Sequence, residues 1–149
     1  MRYSLVEVTD PLDWQDYHAI RRQELFEAKG RHGIYDPNRP DERLPDMHPF
    51  LLKLEGKPLG TTRLDIRSDG TCVFRLVAIT AAEQGKGHGR MLGAMVEDRA
   101  RDFGARIALV NAAPTAVGYY EATGWHRHVW DAAELVSIAS DCIQMRKLL

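Results

Sequence analysis

Cysteine is scarce in this chain, and the little there is forms no pattern. Cys72 and Cys142 are the only two among 149 residues. They lie far apart, in none of the short spacings that metal sites or redox motifs use. Two buried free thiols in a reducing compartment are the expectation, with a disulfide as the alternative. An excess of charge of one sign is missing as well. Twenty Lys and Arg face 21 Asp and Glu, a net charge of −1, so no global field draws the chain toward nucleic acid or an anionic membrane. No apolar run approaches the ~20 residues that span a bilayer. The first eight residues are broken by Arg2, Ser4 and Glu7, which reads as neither a signal peptide nor an anchor. No repeat and no low-complexity segment occurs. These absences lead us to expect a cytoplasmic protein with no nucleic-acid or membrane partner.

What is present is ordinary in bulk and specific in order. Apolar residues make up 44% of the chain and charged residues 28%, as in soluble globular proteins. The length suits one domain over residues 1–149, large enough for an independent core. Tyr3 to Val8 alternates and opens a sheet. Asp10-Pro11 starts a helix, and Trp14, Tyr17, His18, Ile20, Leu25 and Phe26 recur at helical spacing through Ala28. Gly30 to Pro49, with two glycines and four prolines, reads as a long loop carrying a short helical turn. A loop of that length is either functional or a solvated connector.

Phe50 to Glu55, Leu59 to Arg67 and Thr71 to Thr80 are strand-like, and glycine turns at Gly56 and Gly70 separate them. They form an antiparallel meander. After Gly89 the period changes. Leu92, Met95, Val96, Arg99, Ala100 and Phe103 repeat every three or four residues, and Gly104 stops the helix. Ile107 to Val110 is a strand, Pro114 to Thr123 a helix stopped by Gly124, and Trp125 to Trp130 and Cys142 to Leu148 are the last strands. The order predicts a three-layer α/β/α domain around a mixed sheet.

The segment Gln84-Gly85-Lys86-Gly87-His88-Gly89-Arg90 lies between the meander's last strand and a helix. Alternating glycines let backbone amides converge on an anion. The helix adds its free N–H groups and the positive end of its dipole, and Lys86 and Arg90 add cations. A phosphate or pyrophosphate is the ligand this pattern predicts. The Walker spacing with its Lys-Ser/Thr pair is absent. The turn also follows a meander, whereas a dinucleotide fold would place it after the first strand of a βαβ unit.

The same turn, following Phe74-Arg75-Leu76-Val77-Ala78-Ile79, resembles the cofactor motif of the GNAT superfamily of N-acetyltransferases, Gln/Arg-x-x-Gly-x-Gly/Ala. Ala116-Val117-Gly118-Tyr119-Tyr120-Glu121-Ala122-Thr123-Gly124-Trp125 is similar to that family's Ala-x-x-Phe-Tyr-Glu-x-x-Gly-Phe, and Gly60-Thr61-Thr62-Arg63-Leu64 to its Gly-x-x-Arg-Leu. Ile20 to Phe26, His48 and Cys142 to Lys147 resemble, more loosely, a small bacterial subgroup with unassigned substrates. The resemblance implies a mostly antiparallel sheet with a V-shaped splay between its fourth and fifth strands. Acetyl-CoA would be the co-substrate, with no metal. Its pantetheine would pair with the backbone at Val77, Ala78 and Ile79, and its pyrophosphate would rest on Gln84 to Arg90.

By the same resemblance Tyr120 protonates the leaving thiolate, while Tyr119 takes the apolar core slot. The family's cofactor-contacting Asn is replaced here by Ala113. Asn111 stands in for it or caps the helix entry. For the acceptor amine the candidates are Glu24, His48, Arg63, Asp65 and Arg75, with a water chain as the alternative base. His126 and His128 share a strand face and are either a metal pair or simply exposed. The implied activity is acetyl transfer to the amine of a small molecule or peptide, by direct attack on the thioester. A non-catalytic acyl-CoA-binding module and a transferase for other acyl chains are the alternatives. A homodimer is the assembly that analogy suggests.

Overall fold

Three consecutive apolar residues, Phe50, Leu51 and Leu52, are all fully buried. Successive strand side chains point to opposite faces, so the strand that holds them must be covered on both. The computed structural model, which describes residues 2–149, shows how. Seven strands form one sheet: β1 (Tyr3–Glu7), β2 (Met47–Leu54), β3 (Lys57–Ile66), β4 (Thr71–Ile79), β5 (Ile107–Ala112), β6 (His126–Arg127) and β7 (Ile143–Leu148). Their spatial order is β1-β2-β3-β4-β5-β7-β6. Every neighbouring pair is antiparallel except β4 with β5.

Helix α1 (Pro11–Arg21) covers one face, and Tyr17 and Ile20 pack there on Leu51 and Ala78. Helices α2 (His88–Asp102) and α3 (Val117–Ala122) cover the other. Leu92, Val96, Ala100, Val117 and Tyr120 meet Phe50, Leu52, Leu64, Phe74, Val110 and Trp125 in the larger core. Asp10 starts α1 as expected, its carboxylate accepting the Asp13 amide at 2.8 Å. The expected single helix to Ala28 is interrupted, however. It passes at Arg22 into a π-helical turn (Arg22–Phe26) and then a 3-10 turn (Glu27–Lys29). Such wide turns frequently mark functional sites.

Two further expectations change. Strand β2 starts at Met47, so the loop after Gly30 is shorter than it reads and His48 lies inside the strand. The Trp125–Trp130 strand shrinks to His126–Arg127, because Trp130 turns back to donate its indole N–H to the Val110 carbonyl at 3.2 Å. The short 3-10 turns at Ala132–Glu134 and Ser137–Ala139 carry no periodic signal in the sequence.

The splay is present. Strands β4 and β5 pair from Thr71↔Ile107 to Phe74↔Val110 and no further. Beyond that point β4 stays paired with β3 as far as Ile79, and β5 stays with β7 through Ala112. A bulge helps separate them: Thr61 faces Ala78 while Arg63 faces Arg75, so Leu76 and Val77 together oppose Thr62. Leu76 takes a left-handed φ of 53°, an uncommon state for a residue with a branched side chain. The Thr62 hydroxyl donates to the Arg75 carbonyl at 3.0 Å and pins the bulge. Bulges increase local twist and bend the strand that carries them, here turning the end of β4 away from β5.

Gly60 permits the close approach of β3 to this segment. A Cβ at that position would lie 2.6 Å from Ile79 Cδ1 and 2.9 Å from the Ala78 carbonyl oxygen. The carbonyl is backbone and cannot swing aside. Gly60→Ala is expected to destabilise the fold by about 1–3 kcal/mol, the range for overpacking a tight site. Urea unfolding of the variant measures this, and an unchanged midpoint would refute the close-packing account.

Candidate functional site

Six consecutive amides, from Gly85 to Arg90, have no hydrogen-bond acceptor among the described residues. The turn achieves this with Gly85 and Gly87 at φ of 77° and 86°, conformations that glycine adopts without steric cost. Gly87 caps α2 with no side-chain acceptor, and the first turn of the helix holds no carboxylate. The amides and the positive dipole end are thus left free, the arrangement that binds anions. Arg90 stands beside them. Lys86 is exposed and 3.5 Å from Glu83, and Lys57 reaches the same carboxylate at 3.9 Å.

The side chains of two residues of the turn are committed within the protein. The His88 ring is buried, with Nδ1 2.6 Å from the Tyr3 hydroxyl and Nε2 3.3 Å from Glu83. Gln84 donates its side-chain amide to the Ile79 carbonyl at 2.9 Å and ties the turn to the end of β4. The Thr80 amide bonds the Leu59 carbonyl. Antiparallel alternation then directs Ala78 toward β3 and leaves the amides of Val77 and Ile79 facing the splay.

Two cavities meet at that splay. One, of about 320 Å³, runs between α2 and α3 past Gly89, Gly93, Tyr119 and Thr123. The other, of about 920 Å³, lies on the α1 side, between the π-helical turn and the segment that carries Ser137 to Cys142. Phe74, Val77 and Tyr120 line both. The gap in the sheet therefore joins a slot on one face to a larger cavity on the other.

Tyr120 stands at the junction, and the phenol has no hydrogen-bond partner among the described residues. Burial pushes its pKa up, with Tyr119 and Cys142 adding to the shift, so the hydroxyl keeps its proton at neutral pH. Tyr119 corrects the sequence reading. It is 37% exposed and lies across the slot, its hydroxyl donating to the Gly89 carbonyl at 2.8 Å. The helix has turned the second tyrosine of the pair, not the first, into the core.

The floor of the larger cavity is a row of alternating charges. Arg63 donates to Asp65 at 2.7 and 2.9 Å, and to Asp41 and Glu42 at 3.2 Å each. Glu42 also accepts Arg21 at 2.7 Å. Arg75 donates to Asp65 at 3.1 Å and to Glu134 at 3.0 Å, and Glu134 takes Arg67 at 3.2 Å. Arg63 and Arg75 are direct cross-strand neighbours, a repulsive pair unless carboxylates intervene. Burial alone would raise the Asp41 and Glu134 carboxyls. The hydrogen bonds and charges of their arginine partners, chiefly Arg63 for Asp41 and Arg75 for Glu134, outweigh it and hold both below the usual carboxylate range.

Of the acceptor-side candidates, Arg63, Asp65 and Arg75 line this cavity, while Glu24 and His48 do not. Glu24 instead accepts the Ala81 amide at 3.0 Å, bracing the start of the glycine turn. His48 is 3.3 Å from Glu7 and stacks on Phe103 at 4.2 Å, away from the splay. Asn111 lines the larger cavity with both polar groups engaged. Its amide donates to Glu134 and its oxygen accepts from Gln144, both at 3.0 Å. Cys72 is buried, Cys142 is half-buried on the cavity wall, and both thiols are free. His126 and His128 are exposed, and no cluster of three His, Cys, Asp or Glu side chains among the described residues is placed to hold a metal ion. No helix among them is long and apolar enough to cross a membrane.

Sequence reasoning missed Glu42, Glu134 and Arg21. The two glutamates sit in irregular segments, where period gives no facing. Arg21 looks like any cation at a helix end.

Residues 13–125 match the model of the acetyltransferase (GNAT) family. Solved structures agree over the full length. An acyl-CoA N-acyltransferase from Pseudomonas aeruginosa superposes with a TM-score of 0.79 at 17% identity, over 98% of each chain. The ribosomal-protein-S18-alanine N-acetyltransferase of Escherichia coli gives 0.74 at 15%, covering 99% of this chain and 94% of that one. The PaiA N-acetyltransferase from Thermoplasma acidophilum, in complex with coenzyme A, gives 0.74 at 13% over 100% of both. At these identities the likeness is one of fold.

The depressed carboxyls set an acid limit. A group whose folded pKa is lowered adds stability above its unfolded pKa and loses that contribution as pH falls through the folded one. The urea midpoint is expected to hold near neutral pH and to fall once pH drops below ~4, and Asp41→Asn is expected to make that fall shallower. An identical acid limb in the variant would show that Asp41 adds nothing.

Proposed function

The chain belongs to the GNAT acetyltransferase family, and on that premise we propose that it transfers an acetyl group from acetyl-CoA to the amine of a small molecule or peptide. The observation that carries this reading is the junction at Tyr120, where a slot leading from a free-amide anion turn opens through the sheet into a second cavity. The cofactor's pyrophosphate would rest on the amides of Gly85 to Arg90, with Lys86 and Arg90 nearby. Its pantetheine would follow the slot to the unpaired amides of Val77 and Ile79. The acceptor would enter from the α1 side and reach the thioester through the gap.

Chemistry then follows from the positions. The deprotonated amine attacks the thioester carbonyl, and the oxygen takes up negative charge that a fixed backbone amide on β4 can stabilise; such donors are worth ~2.7–4 kcal/mol to a barrier. Collapse breaks the C–S bond as the nitrogen gives up its surplus proton to water, leaving the neutral amide product and a thiolate. Tyr120 gives its proton to that sulfur and is reprotonated from solvent. Burial raises the phenol's pKa, and the same apolar surroundings raise the basicity of the thiolate, so transfer between them remains feasible. A single-domain chain and an acceptor cavity shaped in part by the segment after Gly30 complete the reading. A homodimer remains part of it by analogy with the fold.

Acetyl-CoA at saturating concentration is expected to raise the thermal midpoint of the protein, and an amine panel read by released thiol to identify an acceptor. Tyr120→Phe is expected to keep the thermal shift and to lose about 10²-fold or more in turnover, the usual size of a general-acid contribution. Unchanged turnover would remove Tyr120 from the chemistry. No shift with acetyl-CoA would defeat the reading itself.

A further inference from the structure

Glu134 lies where the two central strands part, and no strand pairing accounts for what it does there. The last paired residues are Phe74 on β4 and Val110 on β5. The next residue on each strand is Arg75 and Asn111. Both turn to the α1 face, opposite the core that holds Phe74 and Val110, and both donate to one carboxylate. Asn111 Nδ2 reaches Glu134 Oε1 at 3.0 Å, and Arg75 Nη2 reaches Oε2 at 3.0 Å with a second, shorter bond from Nη1. Where the ladder between β4 and β5 stops, a side chain from outside the sheet takes its place.

We propose that Glu134 is a positioning residue that fixes the width of the splay, and so the fit of the acyl-pantetheine arm, by bridging Arg75 and Asn111. The inference rests on the acetyl-CoA reading of the slot. Four features make the bridge rigid. Gln144 donates to the Asn111 oxygen and to the Asp131 carbonyl, at 3.0 and 2.7 Å. Its own oxygen accepts the amides of Trp130 and Asp131 at 2.8 and 2.9 Å. The Asp131 carboxylate then caps the 3-10 turn that presents Glu134. On the other side Arg75 is braced by Asp65. The amides of Val77 and Ile79 begin two residues beyond Arg75, so a shift of β4 at the bridge displaces them directly. A carboxylate suits the place because it accepts on two oxygens at once, where a second peptide strand would close the gap.

The test separates the slot from the turn by using two ligands. Acetyl-CoA spans both, whereas its nucleotide half, adenosine 3′-phosphate 5′-diphosphate, engages only the glycine turn. Titration calorimetry on the full chain is expected to show Glu134→Gln weakening acetyl-CoA by about tenfold, the scale of a lost hydrogen bond to a charged group. The nucleotide half is expected to bind within about twofold of the wild type. Asn111→Ala should reproduce the pattern, and the double variant should lose little more than either alone. Arg67→Ala removes a partner of the same carboxylate outside the bridge, and should leave both affinities in place. Should Glu134→Gln prove poorly folded by thermal melting, Asn111→Ala carries the comparison. Equal affinities in wild type and variants, or equal losses for both ligands, would overturn the bridge. Failure of the wild type to bind acetyl-CoA would instead overturn the reading beneath it.

Discussion

Everything at the candidate site depends on one interruption: β4 and β5 stop pairing after Phe74 and Val110. Up to that point the sheet is a wall between two cores. Beyond it, each strand keeps its outer neighbour and loses its inner one, and the wall acquires an opening. Buried backbone groups left without partners cost free energy comparable to a lost hydrogen bond. A chain that maintains such an opening needs a local reason for the strands to part and something to occupy the orphaned groups. The bulge at Leu76 gives the first. The side chains of Gln84 and Trp130, which take the carbonyls of Ile79 and Val110, do part of the second. The amides of Val77 and Ile79 stay facing the opening.

The opening also explains why the α1 face is apolar near Leu51 and ionic near Arg63. Apolar packing of Tyr17 and Ile20 secures α1 where the sheet is continuous. At the splay there is no continuous surface to pack against, and the chain instead sets Arg21, Arg63 and Arg75 among Glu42, Asp65 and Glu134. Buried ion pairs are poor sources of net stability, since desolvation offsets most of the attraction. Their geometry is directional, however, and a row of bidentate contacts fixes separations that apolar side chains would leave loose. The strain at Leu76 and the π-helical turn at Arg22 lie on the wall of the same cavity, consistent with irregular backbone collecting where a fold serves a site.

How much of this the sequence carried depended on periodicity. The meander, α2 and the helix with Tyr120 were legible because apolar spacing and glycine stops agree there, and the glycine turn was legible from its place between the meander and a helix, ahead of the Tyr120 helix. The pairing of Tyr119 and Tyr120 was half legible. Adjacent helical residues point about 100° apart, so one of them had to leave the core, and motif likeness assigned the wrong one. The ionic floor was legible only on its strand side. Arg63, Asp65 and Arg75 stood out as candidates and line the cavity, whereas Asp41, Glu42 and Glu134 belong to 3-10 turns without a period. His48 failed for a different reason. It read as the end of the loop before the strand, whereas it lies inside β2 with its side chain on the face away from the cavity.

The asymmetry between the two cavities bears on how an acceptor amine would lose its proton. Each carboxylate on the floor is committed to arginine. Asp65 serves Arg63 and Arg75, Glu42 serves Arg21 and Arg63, and Asp41 and Glu134 are held below their usual range by the same partners. Asp41 and Glu134, so stabilised in their charged forms, are weak proton acceptors. Taking one as a base would also leave a buried arginine uncompensated, which is strongly unfavourable. The floor is thus better suited to holding shape than to moving protons. In the proposed reaction the acceptor's proton would therefore leave to water in the larger, open cavity rather than to these four carboxylates, and Tyr120 would act on the leaving-group side.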